Sequence, residues 1–161
     1  MNGILRENQF DSYLMYKIYD FLTGGKDHAG RTHVFICDQS DEWLESTHDF
    51  IQWLFPIEDE RSRGDSIPDL FDEEVEMIKQ SEEAQTAMLL SASRMRRFWS
   101  KNLHWVTEYD HNHLRITRCI KSLRLHAGVE EAETMKLWMS SFSVLKAKLI
   151  SKSSLKYWKE A

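Results

Sequence analysis

Two stretches of this sequence place histidine, carboxylate, amide and arginine side chains at helical spacing. The first runs from Trp43 to Pro56 and the second from His111 to Leu123. Residues three or four positions apart share one face of a helix, so each stretch would present its polar groups together. Imidazole, carboxylate and guanidinium groups can move protons, hold metals or bind anions. The candidate site residues are Glu45, His48, Asp49, Gln52, His111, Asn112, Arg115 and Arg118.

Metal binding is one chemistry that these residues suggest. Glu45 and His48 form a Glu-x-x-His step, and Glu108 and His111 form a second, as in the di-iron sites of helical bundles. His111 and His113 could also join His48 around zinc. A di-iron site needs both steps inside helices and two further inward glutamates, which the sequence does not supply. We therefore predict neither a metal nor another cofactor.

A buried polar network is the interpretation that we favour for the two stretches. Both carry apolar stripes that demand burial, and buried charges must be paired. An arginine suits this task because its fork can donate two hydrogen bonds to one carboxylate. The predicted contact joins Glu45 or Asp49 to Arg115 or Arg118, with His48 or Asn112 within hydrogen-bond reach.

The competing interpretation is an enzyme that works through His48, His111 and Arg115. Nucleophilic catalysis has little support, because neither Cys37 nor Cys119 stands beside a histidine in the sequence and no Gly-x-Ser-x-Gly turn occurs. A Gly-rich phosphate loop is also missing from the sequence. The residues leave enzymatic activity open and favour a non-enzymatic module without catalytic residues.

The elements that position these side chains are predicted to be helices. The 161 residues include only two prolines and six glycines, and 42% are apolar, which fits one domain with a real core. Apolar periodicity predicts six or seven helices without a sheet, so the expected fold class is an all-α single-domain bundle. One continuous helix is predicted from about Asp41 to Phe55, with Asn112 capping a later one. A mobile loop is predicted over residues 57–68.

Charge is divided unevenly along the chain. Residues 1–85 hold 7 Lys or Arg against 20 Asp or Glu, a net charge of −13, and residues 86–161 hold 14 against 6, a net charge of +8. We predict that the halves neutralise each other, which disfavours nucleic acid as a partner. Nucleic-acid binding would gain if Trp99 or Trp105 lay exposed on one basic face. The residues of that face would be Arg94, Arg96, Arg97, Lys101, Lys121 and Arg124.

The location of the protein is predicted from its apolar runs and cysteines. The longest apolar runs are four or five residues, far short of a membrane span, and the first residues lack the apolar region of a signal peptide. Cys37 and Cys119 are distant in sequence and form no CxxC pair. We expect a cytoplasmic protein with both thiols reduced.

The two polar stretches also carry a family resemblance. Leu44–Pro56 and His111–Arg118 together resemble the hallmark strings of the opioid growth factor receptor conserved domain. Ser93–Trp99 and Gly30–Thr32 look like weaker family positions, and the resemblance covers about residues 10–158.

The resemblance implies a compact, domain-only form of the kind found in bacteria, without the repeat tail of the animal receptor. The loop departs from the family pattern, with Arg63-Gly64-Asp65 where an asparagine is more usual. The animal receptor is associated with an enkephalin-type peptide, so the resemblance implies an unknown peptide or protein as partner.

Overall fold

The computed structural model describes residues 16–58 and 67–161, with the backbone alone at 143–147. Within these ranges the chain forms nine α-helices and no strand, which confirms the predicted all-α fold class. The helices are α1 (Lys17–Leu22), α2 (His33–Cys37), α3 (Asp41–Ser46), α4 (Ile51–Leu54), α5 (Asp72–Gln80), α6 (Glu82–Lys101), α7 (His111–His126), α8 (Val129–Lys146) and α9 (Lys152–Glu160). Short 3-10 turns lie at Leu103–Trp105 and Ala147–Leu149.

The two long helices α6 and α7 form the centre of the bundle. Helix α6 packs against α1, α2, α5 and α7, while α7 also packs against α5, α8 and α9. Met95 and Phe98 of α6 and Ile116 and Ile120 of α7 are all buried in the core. Their three- and four-residue spacing gives each helix an apolar face, and burial of these faces drives the packing.

The ends of α6 and α7 are fixed by side-chain caps. Ser81 Oγ accepts the backbone N–H of Ala84 at 3.1 Å and so caps the start of α6. Asp110, not the predicted Asn112, caps α7, because its carboxylate accepts the N–H of Asn112 at 2.8 Å. The side chain of Asn112 is therefore free to enter the core, where it is fully buried.

The predicted continuous helix from Asp41 to Phe55 is wrong. The chain forms α3 and α4 instead, with Thr47 between them in an extended conformation (φ −98°, ψ 129°). The burial that the apolar pattern predicts is confirmed, since Leu44, Phe50 and Leu54 have no exposed surface. The break exposes backbone carbonyl groups that a continuous helix would satisfy internally, and these need other donors.

The remaining described segments contain no sheet. The residues of α2, which we predicted to be non-sheet, form one helical turn, and a lone bridge joins Lys26 to Thr32. Most of the loop predicted over residues 57–68 lies outside the described residues. Among the described helices, none is both long and apolar enough to span a membrane.

Candidate functional site

Arg115 binds the broken end of α3. Its Nη1 donates to the carbonyl oxygen of Leu44 at 2.8 Å, and its Nη2 donates to that of Thr47 at 2.7 Å. In a continuous helix these two carbonyls would accept the N–H groups four residues later in the chain. The guanidinium group replaces those helical bonds, and it lies 5.4 Å from the ring centre of Phe50. This long-range capping explains why α3 ends where it does.

Three more side chains on the same face of α7 bind two further backbone carbonyl oxygens in this way. Arg118 Nε donates to Phe55 O at 2.8 Å, while Ser122 Oγ and His126 Nε2 both reach Pro56 O, at 2.8 Å and 3.0 Å. We call His111, Arg115, Arg118, Ser122 and His126 the polar stripe of α7. Their steps of four, three, four and four residues place them along one side of the helix.

The predicted arginine–carboxylate contact between the two motifs is wrong for Arg115, which binds carbonyl groups. Asp49 instead accepts a hydrogen bond from Arg31 Nη1 at 2.9 Å and lies 3.0 Å from His28 Nε2. Burial opposes ionisation of Asp49, but the bonds from Arg31 and His28 outweigh it, so the pKa of this carboxyl is lowered. Asp49 therefore holds the preceding loop and takes no part in joining the two motifs.

Glu45 joins the motifs through other residues. Its Oε1 lies 3.0 Å from His111 Nε2, and its Oε2 lies 3.1 Å from His104 Nε2. Asn112 Nδ2 donates to the same Oε2 at 3.2 Å, and Asn112 Oδ1 accepts the indole N–H of Trp99 at 3.1 Å. Asn112 thereby connects the half-exposed carboxylate of Glu45 to the buried core. The two bonds also give its buried amide group the hydrogen-bond partners that buried polar groups require.

The three histidines that we considered as zinc ligands do not converge. The rings of His48 and His111 contact each other at 5.4 Å between centres. His113 is buried elsewhere, with Nε2 2.7 Å from Trp105 O and Nδ1 2.9 Å from Ser154 Oγ. Among the described residues, no three His, Cys, Asp or Glu side chains are arranged to hold a metal ion. The absence of a metal remains a prediction.

A cleft of about 540 Å³ opens between α4, α7 and α9. It contains five of the eight candidate residues from the sequence, while Glu45 and Asn112 contact its wall through His111. Asp49 does not line it. The polar part of the wall is formed by His48, Gln52, His111, Arg115, Thr117, Arg118 and Lys121, and the apolar part by Ile51, Ile57, Leu114 and Tyr157.

The candidate residues from the sequence did not include two exposed apolar residues of this cleft, Leu114 and Tyr157. Leu114 is 73% exposed and Tyr157 is 57% exposed, although both side chains are large and apolar in most of their surface. Leu114 lies outside the buried apolar stripe of α7, which is formed by Ile116, Cys119, Ile120 and Leu123. This position was the one feature of the sequence that indicated its exposure. Tyr157 belongs to α9, and its position beside α7 is set by tertiary packing alone.

The described contacts do not favour the basic face that nucleic-acid binding would need, which we considered the less favoured alternative. Arg94 is buried, where it pairs with Asp41 at 2.8 Å and donates to the carbonyl oxygens of Cys37 and Gln39. Trp99 and Trp105 have no exposed surface, so neither can stack on a base. Arg124 pairs with Glu133. These ion pairs support the prediction that the positive charge of residues 86–161 is partly neutralised within the molecule.

Cys37 lies close to a histidine in the folded chain, although no histidine stands next to it in the sequence. Its Sγ is 3.6 Å from His33 Nε2, one helical turn away, and His33 in turn contacts Ser91 Oγ at 2.8 Å. Burial raises the pKa of the Cys37 thiol to about 11 and lowers the pKa of His33. The thiol is therefore protonated at neutral pH and the imidazole uncharged, which makes this pair a poor nucleophile and base.

Comparison with known proteins identifies the region that contains the first motif. Residues 33–105 match the model of the opioid growth factor receptor conserved region. This part of the chain is similar to that conserved region. The matched residues include α2, α3, α4, α5 and α6, and α4 supplies one wall of the cleft, whereas the polar stripe of α7 lies beyond the matched residues.

Two receptor proteins of mammals are similar to about half of this chain. Opioid growth factor receptor-like protein 1 of Mus musculus is 33% identical over 99 residues, which covers 51% of this chain and 21% of that protein. The opioid growth factor receptor of Homo sapiens is 32% identical over 116 residues, which covers 55% of this chain and 16% of the receptor. The chain thus spans about a fifth or less of these relatives. No solved structure matches it significantly.

Proposed function

We propose that this chain is a non-enzymatic binding module whose cleft between α4, α7 and α9 receives a peptide or a segment of a protein. The observation that carries the proposal is the exposure of Leu114 and Tyr157 beside a polar wall. Ligand sites combine apolar contact area with a few fixed polar groups that set orientation. Arg115 and Arg118 are fixed in this sense, because backbone carbonyls hold both guanidinium groups.

The relatives support binding over catalysis. Both are named as a receptor or as receptor-like, and the matched region of this chain forms one wall of the cleft. The enzyme alternative depends on His48, His111 and Arg115, all of which line the cleft. Two guanidinium nitrogens of Arg115 already bind carbonyl groups, which suits a structural and orienting role better than a chemical one. We also propose that the protein works in the cytoplasm, where free Cys37 and Cys119 stay reduced.

Peptide selection with a variant that has lost the apolar anchors tests the proposal. We expect a random peptide library to yield peptides that bind the wild-type chain, and that bind Leu114→Ala/Tyr157→Ala roughly tenfold more weakly or worse. Both side chains are exposed, so the double variant should keep the stability of the wild type within about 1 kcal/mol. Thermal unfolding checks this.

The matched control removes the same two side-chain types away from the cleft. Leu137 and Tyr109 are each 72% exposed and do not line it. Leu137→Ala/Tyr109→Ala should bind the selected peptides as the wild type does. Equal binding by both double variants, or no selected peptide at all, would overturn the proposal. Conversion of a peptide, seen by mass spectrometry and lost in His48→Gln/His111→Gln, would favour the enzyme.

A further inference from the structure

His113 and Ser154 form a hydrogen-bonded pair outside the cleft. His113 is 4% exposed, and its Nε2 lies 2.7 Å from the carbonyl oxygen of Trp105. A carbonyl oxygen can only accept a hydrogen bond, so Nε2 carries the proton of the neutral imidazole. Nδ1 therefore keeps its lone pair, and Ser154 Oγ lies 2.9 Å from it. The hydroxyl of Ser154 thus donates to a nitrogen that is able to take its proton.

Two neighbouring serines fix the direction of the Ser154 hydroxyl. Ser151 Oγ donates to Ser154 Oγ at 2.9 Å and accepts the backbone N–H of Ser154 at 3.1 Å. Ser153 Oγ lies 3.1 Å from Ser151 Oγ and donates to it, because the proton of Ser151 is already used. Ser154 Oγ accepts from Ser151 and directs its own proton at His113. A hydroxyl held against a histidine that a third group orients has the arrangement of an activated nucleophile.

A groove of about 820 Å³ opens beside this pair. It lies between the segments that lead into α7 and α9, which are joined by the hydrogen bond from Ser151 N–H to Glu108 O at 3.1 Å. Ser151 and Ser153 line the groove, and Ser154, the next residue, is half-buried. The groove shares none of its described lining residues with the cleft. Its described aliphatic residues are Val106, Leu149 and Ile150.

We propose that Ser154 is an acylation site, which takes an apolar acyl group from an activated ester. Ser154 Oγ attacks the carbonyl carbon of the ester, and its proton passes to His113 Nδ1. The new bond from Oγ to that carbon forms as the bond from the carbon to the leaving oxygen breaks. His113 then gives the proton to the leaving oxygen, and the acyl chain lies in the groove along Leu149 and Ile150.

The first turn of α9 supports this step. The backbone N–H groups of Lys152 and Ser153 begin the helix, where N–H groups have no acceptor within the helix itself. Such groups stabilise the negative charge that develops on the carbonyl oxygen during attack. The step modifies the chain once and turns over no substrate. It therefore goes beyond the proposed binding function and is compatible with a non-enzymatic module.

Labelling with p-nitrophenyl butyrate at neutral pH tests the proposal. We expect mass spectrometry of the wild type to show one butyryl ester, which peptide mapping places on Ser154. Ser154→Ala should lose this adduct. His113→Gln should acquire it at least about 100-fold more slowly, since general-base catalysis contributes about 10²–10⁴-fold. Hydroxylamine, which cleaves esters and spares amides, separates the adduct from acylated lysines.

The matched control is Ser153→Ala, which changes an exposed serine of the same turn whose hydroxyl bonds to Ser151 instead of His113. It should be labelled at Ser154 as fast as the wild type. Thermal unfolding checks that each variant is folded. Because His113 is buried, the wild type unfolded in urea gives a second measure, and there Ser154 should react no faster than Ser153.

Three results would overturn the proposal. The first is labelling confined to lysines, and the second is an equal rate at Ser153 and Ser154 in the folded wild type. The third is a His113→Gln variant that is labelled at Ser154 as fast as the wild type.

Discussion

We expect Arg115→Ala to lower the free energy of unfolding by about 3–5 kcal/mol, because hydrogen bonds to charged groups contribute about 1.5–3 kcal/mol each. The substitution leaves the carbonyl oxygens of Leu44 and Thr47 without their guanidinium donors at the break between α3 and α4. It also removes the cation that lies against the ring of Phe50. Urea denaturation of wild type and variant at neutral pH measures the difference.

Two further variants separate this effect from a general loss of charge on α7. Arg115→Lys keeps the charge, but one ammonium group cannot reproduce the fork that spans two carbonyls, so we expect an intermediate stability. Lys121→Ala removes an exposed cation from the same helix and should change stability by less than about 0.5 kcal/mol. A variant Arg115→Ala that is as stable as the wild type but has lost peptide binding would show that Arg115 serves the ligand instead of the fold.

We expect the protein to lose stability as the pH falls from 6.5 towards 4, and expect His126 to cause much of this loss. His126 is 3% exposed, and burial lowers its pKa from 6.5 to about 4. Between these values the unfolded chain binds a proton that the folded chain excludes, so stability rises with pH across this window. The contribution of His126 between about pH 7 and about pH 5 is roughly 2 kcal/mol.

Two other buried groups also change the pH dependence of stability at acid pH, so the control variant must isolate the effect of His126. The pKa of His33 is also lowered by burial, which adds to the loss at acid pH. Glu74 acts in the opposite direction, because burial raises its pKa and favours the folded state as the pH falls towards 4.5.

His126→Gln isolates the histidine, since its amide can still donate to Pro56 O but cannot gain a proton. Denaturation at both pH values should show a smaller loss for His126→Gln than for wild type. Equal losses would place the acid sensitivity elsewhere.

The sequence determined the fold class and the faces of the main helices. Few glycines and prolines and an apolar period near 3.6 residues indicated an all-α protein, and the structure confirms this. The start of α6 at Ser81 followed from a local cap. The stripe that contains Arg115, Arg118 and Ser122 was also visible, because helical spacing is a property of the chain itself.

Only the tertiary structure decided what that stripe binds. The apolar pattern of residues 41–55 fits one helix, and local spacing cannot reveal that Arg115 will compete for two of its carbonyl groups from about 70 positions away. We expected carboxylates as the partners of arginine, since a buried charge needs a counter-charge. The broken helix offers backbone carbonyl groups instead, while Glu45 and Asp49 bind His104 and Arg31.

The sequence likewise could not show that Leu114 and Tyr157 line one cleft. These two side chains are 43 positions apart and come together only when α9 packs on α7. Periodicity is set by bonds between residues near in the chain, and so the sequence reports it. Partners are set by competition among groups distant in the chain, and only the packed structure resolves that competition.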